Sequence, residues 1–373
     1  MRGVALRSLV HERGKAAASL LGVACASALL FVEIGLRSGL EATSSALVRR
    51  TGGDVWLVAR GTEVLDNGQA IAPESVERLR SEPCVRRVRE LVVAIVPVKK
   101  KSGALDYVQI VGSAAGETPA LPWSWASGGP PDVHGLRVTV DEGDAKKLQL
   151  PLARIGSELS LGERTVTIAA TTRGIRSFAL VPYIFADLDG ARALAGLAPG
   201  AATYAVADVR SPACVSEVIA AFASDKAVEV HTTAAFARMT ERFWMEGSGA
   251  GATIAASALF SLLVGAVTVG QTLYSLTRDH LRELATLKAM GATIGELVSF
   301  VVWQTATLAS SGGLLGFGIA VAVQRALEGE GVTMSLSRDV LIAASAAIVV
   351  MCFSAAIPSV LRVRRVSALE VLR

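Results

Sequence analysis

Four long apolar runs interrupt a chain that is otherwise mixed in polarity. They cover about residues 16–36, 251–276, 297–323 and 340–361. Each is close to the roughly 20 residues that a helix needs to cross a hydrocarbon core of about 30 Å. The pattern predicts four membrane-spanning helices. More than 200 residues separate the first run from the second, enough for a folded domain with its own core. Within that stretch, alternation of apolar and polar positions predicts a strand at 54–60, a helix at 73–80 and a strand at 85–96. A second strand–helix–strand unit is expected at 203–209, 211–224 and 227–232. The two β-α-β units, 54–98 and 203–232, are expected to pack into one lobe, with residues 99–200 forming a second, β-rich lobe inserted into it. The fold class is therefore an α-helical membrane protein with four transmembrane helices. A large α+β domain, residues 37–250, lies between helices 1 and 2.

Composition agrees. Of 373 residues, 51% are hydrophobic, yet 19% are charged, so a sizeable part lives in water. Arg2, Arg7, Arg13 and Lys15 precede the first run, and Arg362, Arg364, Arg365 and Arg373 follow the last. Basic flanks stay cytoplasmic. Residues 1–15, 277–296 and 362–373 are thus expected in the cytoplasm and residues 37–250 outside. Residues 1–15 and 361–373 each sum to +3 and the rest of the chain to −2, so the net charge of +4 reflects these flanks and points to anionic membrane lipid, not to nucleic acid. A cleaved leader is disfavoured, because the first apolar run continues past Cys25 and Gly22 fits a lipoprotein cleavage box poorly. Glu33 is read as a carboxylate reaching the headgroups. Trp244 and Trp303 suit an interfacial aromatic belt. Trp123 and Trp125, in the loop 121–135, are read first as a cap on their own lobe's core, with a contact loop as the alternative. Cys84 and Cys214 fall in the segment expected outside, where a disulfide is permitted; their spacing does not decide whether they pair.

Catalytic chemistry is missing from the motifs. There is no G-x-x-x-x-G-K-[ST], no H-E-x-x-H and no G-x-S-x-G, and four histidines are scattered along the chain. We expect a non-catalytic subunit without a cofactor or a metal. Small residues recur at helical spacing in two runs: Ser257, Ser261 and Gly265, then Gly312, Gly316 and Ala320. Such stripes let helices approach closely in lipid. They leave open whether the partner helix lies in the same chain or in another copy.

Residues 277–293, TRDHLRELATLKAMGAT, stand between the second and third runs. Leu281, Leu284 and Leu287 form an apolar stripe with Ala285 beside it, and Gly291 is placed to end a helix. A helix this short is unstable alone. Its stripe is expected to seat in a groove on a cytoplasmic protein, with the membrane surface as the alternative.

The stretch DHLRELATLKAMGAT resembles the cytoplasmic loop of FtsX/MacB-type (type VII) ABC transporter permeases, most of all the DevC type of heterocyst-glycolipid exporters. The similarity rests on Asp279, His280, Leu281, Glu283, Ala285, Thr286, Leu287, Lys288, Ala289, Met290 and Gly291; Leu284 replaces an aromatic residue. The segment HTTAAFARMTERFWMEGSGAG and the tail PSVLRVRRVSALEVLR are also similar to that family, with Ser367 where proline is usual. The resemblance implies an inner-membrane homodimer bound to two copies of a separate ABC ATPase, with a periplasmic adaptor and an outer-membrane channel beyond. It implies that Asp279, His280, Leu281, Arg282, Glu283, Leu284, Ala285, Leu287, Lys288 and Gly291 couple the two. It also implies that the split lobe is a porter-like part of a MacB-like periplasmic domain, moved by ATPase strokes to export a lipid-like or other periplasmic cargo. Two other roles share the architecture: a transmembrane regulator of a partner such as a cell-wall hydrolase, and a lipoprotein-release permease.

Overall fold

The computed structural model describes residues 13–100, 102–114, 122–129, 133–144, 147–149, 155–177, 181–329 and 332–365. The chain divides into two compact units, residues 40–249 and residues 1–39 together with 250–373. The basic residues Arg2, Arg7 and Arg373, and the end of the tail at 366–373, lie outside the described residues.

Helix α1, Arg13–Ser44, runs past the expected end at residue 36 and leads to a short helix α2, Ala46–Thr51. Strand β1 (Val55–Ala59), helix α3 (Pro73–Ser81) and strand β2 (Val85–Lys99) follow. The remaining strands are β3 (Leu105–Ser113), β4 (Trp125–Ser127), β5 (Arg137–Asp141), β6 (Glu158–Leu161), β7 (Arg164–Thr172) and β8 (Tyr183–Asp187). Helix α4 (Leu188–Ala195) leads to β9 (Tyr204–Val209), α5 (Cys214–Ala221), β10 (Val228–Thr232) and α6 (Thr233–Arg242). The chain then passes through a π-helical turn, Phe243–Gly247. It continues as α7 (Ala250–Asp279), α8 (Leu281–Ala289), α9 (Ile294–Gly329), α10 (Arg338–Ala355) and α11 (Ile357–Arg364).

Among the described residues, ten strands form one sheet, ordered β10-β1-β9-β2-β3-β8-β5-β7-β4, with β6 pairing to β2 and β7. The two β-α-β units interleave: β9 lies between β1 and β2, and β1 lies between β9 and β10. This is the split β-α-β arrangement. Strand periodicity builds both of its faces. Val55, Leu57 and Ala59 point into one core with Val76 and Leu79 of α3 and Val218 of α5. Trp56 and Val58 point into the other with Leu47 and Val48 of α2 and Phe236 and Ala237 of α6. Every residue of β1 is buried, which explains its unbroken apolar run. The middle of the chain has its own core, including Val108, Ile110, Val138, Ile168 and Ile184. It is not a separate sheet, as the reading of two lobes implied. The 15-residue β2 carries β9 along its first part and β3 along its second, so one sheet serves both cores. Cys84 and Cys214 are disulfide-bonded, joining the start of β2 to α5 across 130 residues of sequence. Trp123 packs edge-on against Phe185 at 6.3 Å, on the lobe's own core.

Among the described residues, four helical stretches are long and apolar enough to cross a membrane: Ala16–Ser44, Ala250–Asp279, Ile294–Glu328 and Arg338–Arg364. The last is interrupted at Ala356, because Pro358 sits in the first turn of α11. Proline supplies no N–H and its ring clashes with the preceding turn. Helix α9 starts earlier than expected because Thr293 and Glu296 form a reciprocal cap: Glu296 N–H donates to Thr293 Oγ1 at 3.3 Å, and Thr293 N–H donates to Glu296 Oε2 at 2.8 Å.

The small-residue stripes find their partners within the same chain. A side chain added at Gly312 would sit 2.5 Å from Val23 of α1, and one at Gly316 would sit 2.6 Å from Ser27 and 2.8 Å from the Ala24 carbonyl. Gly265 of α7 approaches Met351 of α10 and Ala26 of α1 equally closely. Ala320 and Ser261 are buried, whereas Ser257 is exposed. Glu33 of α1 lies near Ser261 of α7, whose hydroxyl donates to the Ser257 carbonyl of its own helix at 2.9 Å.

Candidate functional site

The loop after α7 is built from local signals. His280 stands at the start of α8 without a side-chain cap bond; its Nδ1 is 2.9 Å from Glu283 Oε2, and its ring lies edge-on to Phe300 at 6.4 Å. The helix stops at Gly291, whose φ is +100°. Gly291 N–H donates to the Lys288 carbonyl and Ala292 N–H donates to the Leu287 carbonyl, both at 3.0 Å. Those two bonds are the Schellman arrangement, and the left-handed backbone at its centre favours glycine.

The apolar stripe turns inward. Leu284 and Ala285 are 2% and 0% exposed, and Leu284 joins the core formed by Leu276, Leu297 and Phe300, with Leu287 packed against its edge. This corrects the expectation for Leu284, which is covered by its own chain, while Leu281 and Leu287 are half-buried. The stripe already has an occupant, since Leu284 is spent on holding α8 to its own helices. The face left over carries Arg282, Glu283, Thr286, Ala289 and Met290, with Asp279 exposed just before the helix and Lys288 half-buried at its flank. Met290 is 72% exposed and Ile294 is 45% exposed. Sequence reasoning passed over both as anchors. The usable signal was position: on a helix whose buried residues are 284 and 285, residues 282, 286, 289 and 290 fall on the opposite side.

The arrangement thus offers a charged strip of both signs with two apolar points, Met290 and Ile294, held by a capped helix on a packed base. The helix is too short to stand alone in water, and the core beneath it fixes its orientation.

Residues 255–368 match the family described as FtsX-like permease C-terminal. No curated protein matches the chain. Among solved structures, the chain is similar to the extracellular domain of the noncanonic ABC-type transporter YknZ from Gram-positive bacteria. The TM-score is 0.36 at 11% identity, over 48% of this chain and 98% of that one. It is similar to the periplasmic region of MacB from Actinobacillus actinomycetemcomitans with a TM-score of 0.39 at 8% identity, over 51% of this chain and 94% of that one. A domain of a permease protein from Porphyromonas gingivalis gives a TM-score of 0.32 at 14% identity, over 50% of this chain and 89% of that one. The stretch that holds the loop and the helices on either side of it, residues 255–368, has the sequence pattern of an FtsX-like permease C-terminal domain.

Proposed function

We propose that this chain is the transmembrane subunit of an ABC exporter, and that α8 is the element through which a separate cytoplasmic ATPase acts on it. The observation that carries the reading is the family match over residues 255–368, which contains α8. A capped, outward-facing helix on that stretch, in a chain without a phosphate-binding motif of its own, needs a partner that supplies energy. In this reading the basic flanks are cytoplasmic and the sheet domain lies outside. The chain works as a non-catalytic homodimer with two ATPase copies. Strokes of the ATPase move the spans and the sheet domain, and cargo leaves through an adaptor and an outer-membrane channel. The DevC-like motif of Asp279 to Gly291 supports a lipid-like cargo.

The contact differs from the one the stripe first suggested. Met290 and Ile294 are its apolar anchors, with Arg282 and Glu283 on the rim, since central apolar groups carry most interface energy. Met290→Asp places an unpaired charge in that contact. Copurification of the full chain from its native membrane, with ATP hydrolysis measured in the eluate, tests it. Met290→Asp is expected to lower the associated ATPase at least tenfold while Lys288→Ala changes it less than twofold. Undiminished ATPase with Met290→Asp sinks the docking role of α8.

A further inference from the structure

Three of the long helices, α1, α9 and α10, leave a groove of about 590 Å³ between them. Phe31, Ala309 and Ile348 form its floor and are 3%, 7% and 3% exposed. Phe317 lines it too and stands edge-on to Phe31 at 5.6 Å. Along α10 the lining runs from Leu341 to Phe353, about 18 Å at 1.5 Å per residue. Along α9 it runs from Ala306 to Phe317, about 17 Å.

A glycine keeps the groove open. Ala309, Gly313 and Phe317 follow one another at i, i+4 and so share a face of α9. A side chain added at Gly313 would meet no atom within 4 Å. Gly312 and Gly316 differ, because both are needed for the close approach to α1. Packing against the described residues does not call for a glycine at 313; its effect is to leave room above the floor.

Shape decides the occupant. A volume of about 590 Å³ over about 18 Å gives a mean section of about 33 Å². That is less than half the roughly 80 Å² of a helix about 10 Å across. A helix of a second copy is too wide for it. A hydrocarbon chain is narrow, and in a bilayer it reaches across half of the roughly 30 Å core, about 15 Å. The groove has nearly that length. Inside lipid the contact brings no hydrophobic gain; dispersion against walls that stay in place holds the chain. One end carries charge. Arg338 is exposed and stands three residues before Leu341, on the same side of α10. Asp339 lies about 100° further round the helix. A guanidinium so placed is suited to a phosphate.

We propose that the groove binds one acyl chain of an anionic phospholipid of the surrounding membrane, with Arg338 at its phosphate. The proposal rests on reading the four helices as membrane spans. It needs neither the ATPase nor the transport of cargo, so loss of copurifying ATPase leaves it standing, and its own failure leaves the docking role of α8 standing.

Two measurements on the full chain test it. In the first, the parent chain sits in nanodiscs containing phosphatidylglycerol with a diazirine midway along one acyl chain. Illumination attaches the lipid, and peptide mass spectrometry locates it. Labels are expected on Ser310, Leu314, Val349 and Phe353. They should exceed at least fivefold those on Leu315, Ile319, Ile342 and Val350, exposed residues of the same helices outside the groove. Even labelling of the two sets overturns the proposal.

In the second, native mass spectrometry in detergent reads how much phosphatidylglycerol stays with each chain. Gly313→Phe fills the groove and should lower retention at least fivefold. Gly318→Phe is the control, since a side chain there also meets no atom within 4 Å and lies outside the groove. It should retain lipid as the parent does. Arg338→Gln should abolish a preference for phosphatidylglycerol over phosphatidylcholine; a preference that persists removes Arg338 from the site. Undiminished retention with Gly313→Phe overturns the proposal, and a fall in dimer fraction alongside it hands the groove to a second copy. Should Gly313→Phe not fold, the labelling of the parent chain decides alone.

Discussion

The indole N–H of Trp244 donates to Asp66 Oδ2 at 2.9 Å, and the amide of Gln109, itself 1% exposed, donates to Oδ1 of the same carboxylate at 2.8 Å. Trp244 is therefore tied to the sheet domain by a directed bond, where its position before the second apolar run had suggested only an interfacial aromatic. Burial pushes the Asp66 carboxyl above its ordinary range, and the two donors work against that rise.

Removing that acceptor should be costly. Asp66→Ala leaves a buried amide and an indole N–H without their partner, at about 1–3 kcal/mol. Thermal unfolding of the full chain in nanodiscs, followed by near-ultraviolet circular dichroism, should show a lowered midpoint. Asp66→Asn should lose less, because its amide oxygen still accepts one of the two bonds. Equal midpoints for Asp66→Ala and the parent would remove the bond from the stability of the domain.

The Cys84–Cys214 bridge closes a loop of 130 residues. It staples the second strand of one β-α-β unit to the helix of the other. Long loops gain most from closure, so replacing both cysteines by serine should destabilise the sheet domain by about 2–5 kcal/mol. Denaturant unfolding with and without a reductant checks it: the parent should fall to the level of the double serine variant when reduced, and the variant should not respond.

Gly316 meets the Ala24 carbonyl and the Ala28 amide of α1, both 2.8 Å from where a side chain would begin. Backbone atoms cannot move aside, and overpacking costs roughly 1–3 kcal/mol or more. Gly316→Leu is therefore expected to reduce the folded yield and melting temperature of the chain in monomeric and dimeric fractions alike. A shift in the dimer fraction alone, with stability unchanged, would return the stripe to the role of an interface between copies.

Asp144 gives the sheet domain a pH dependence. Its carboxylate is 2.9 Å from Arg176 Nη1, but burial dominates and lifts its pKa from 3.8 to about 6, with Asp141 adding to the rise and Arg176 and Lys147 opposing it. A raised carboxyl pKa means that the folded chain holds the proton more tightly than the unfolded one. The stabilisation is complete below 3.8 and is lost as pH rises through about 6. Between pH 5 and pH 7.5 the parent should lose about 1 kcal/mol relative to Asp144→Asn. Unfolding curves at the two pH values, parent against variant, read the difference directly; a constant gap would show that Asp144 does not titrate in this window.

Local order was legible in the residues. Alternation placed Val55 and Leu57 on one face of a strand and Trp56 and Val58 on the other, because side chains of a strand alternate by geometry whatever it pairs with. The apolar runs marked the long helices, and Gly291 marked the end of α8, because a left-handed C′ position excludes most other residues. What the tertiary structure decided was every question of partnership. An apolar stripe reports that Leu284 must be covered; only the return of α9 beside it shows that Leu297 and Phe300 of the same chain do the covering. Gly312 and Gly316 report a close approach and do not name Val23 and Ser27. Cys84 and Cys214 are permitted a bond by their setting and brought within reach only by the interleaving of β9 between β1 and β2. Periodicity is a property of a dozen neighbouring residues, whereas pairing across 130 positions depends on which of many closures buries the most surface, and that choice is made by the whole chain at once.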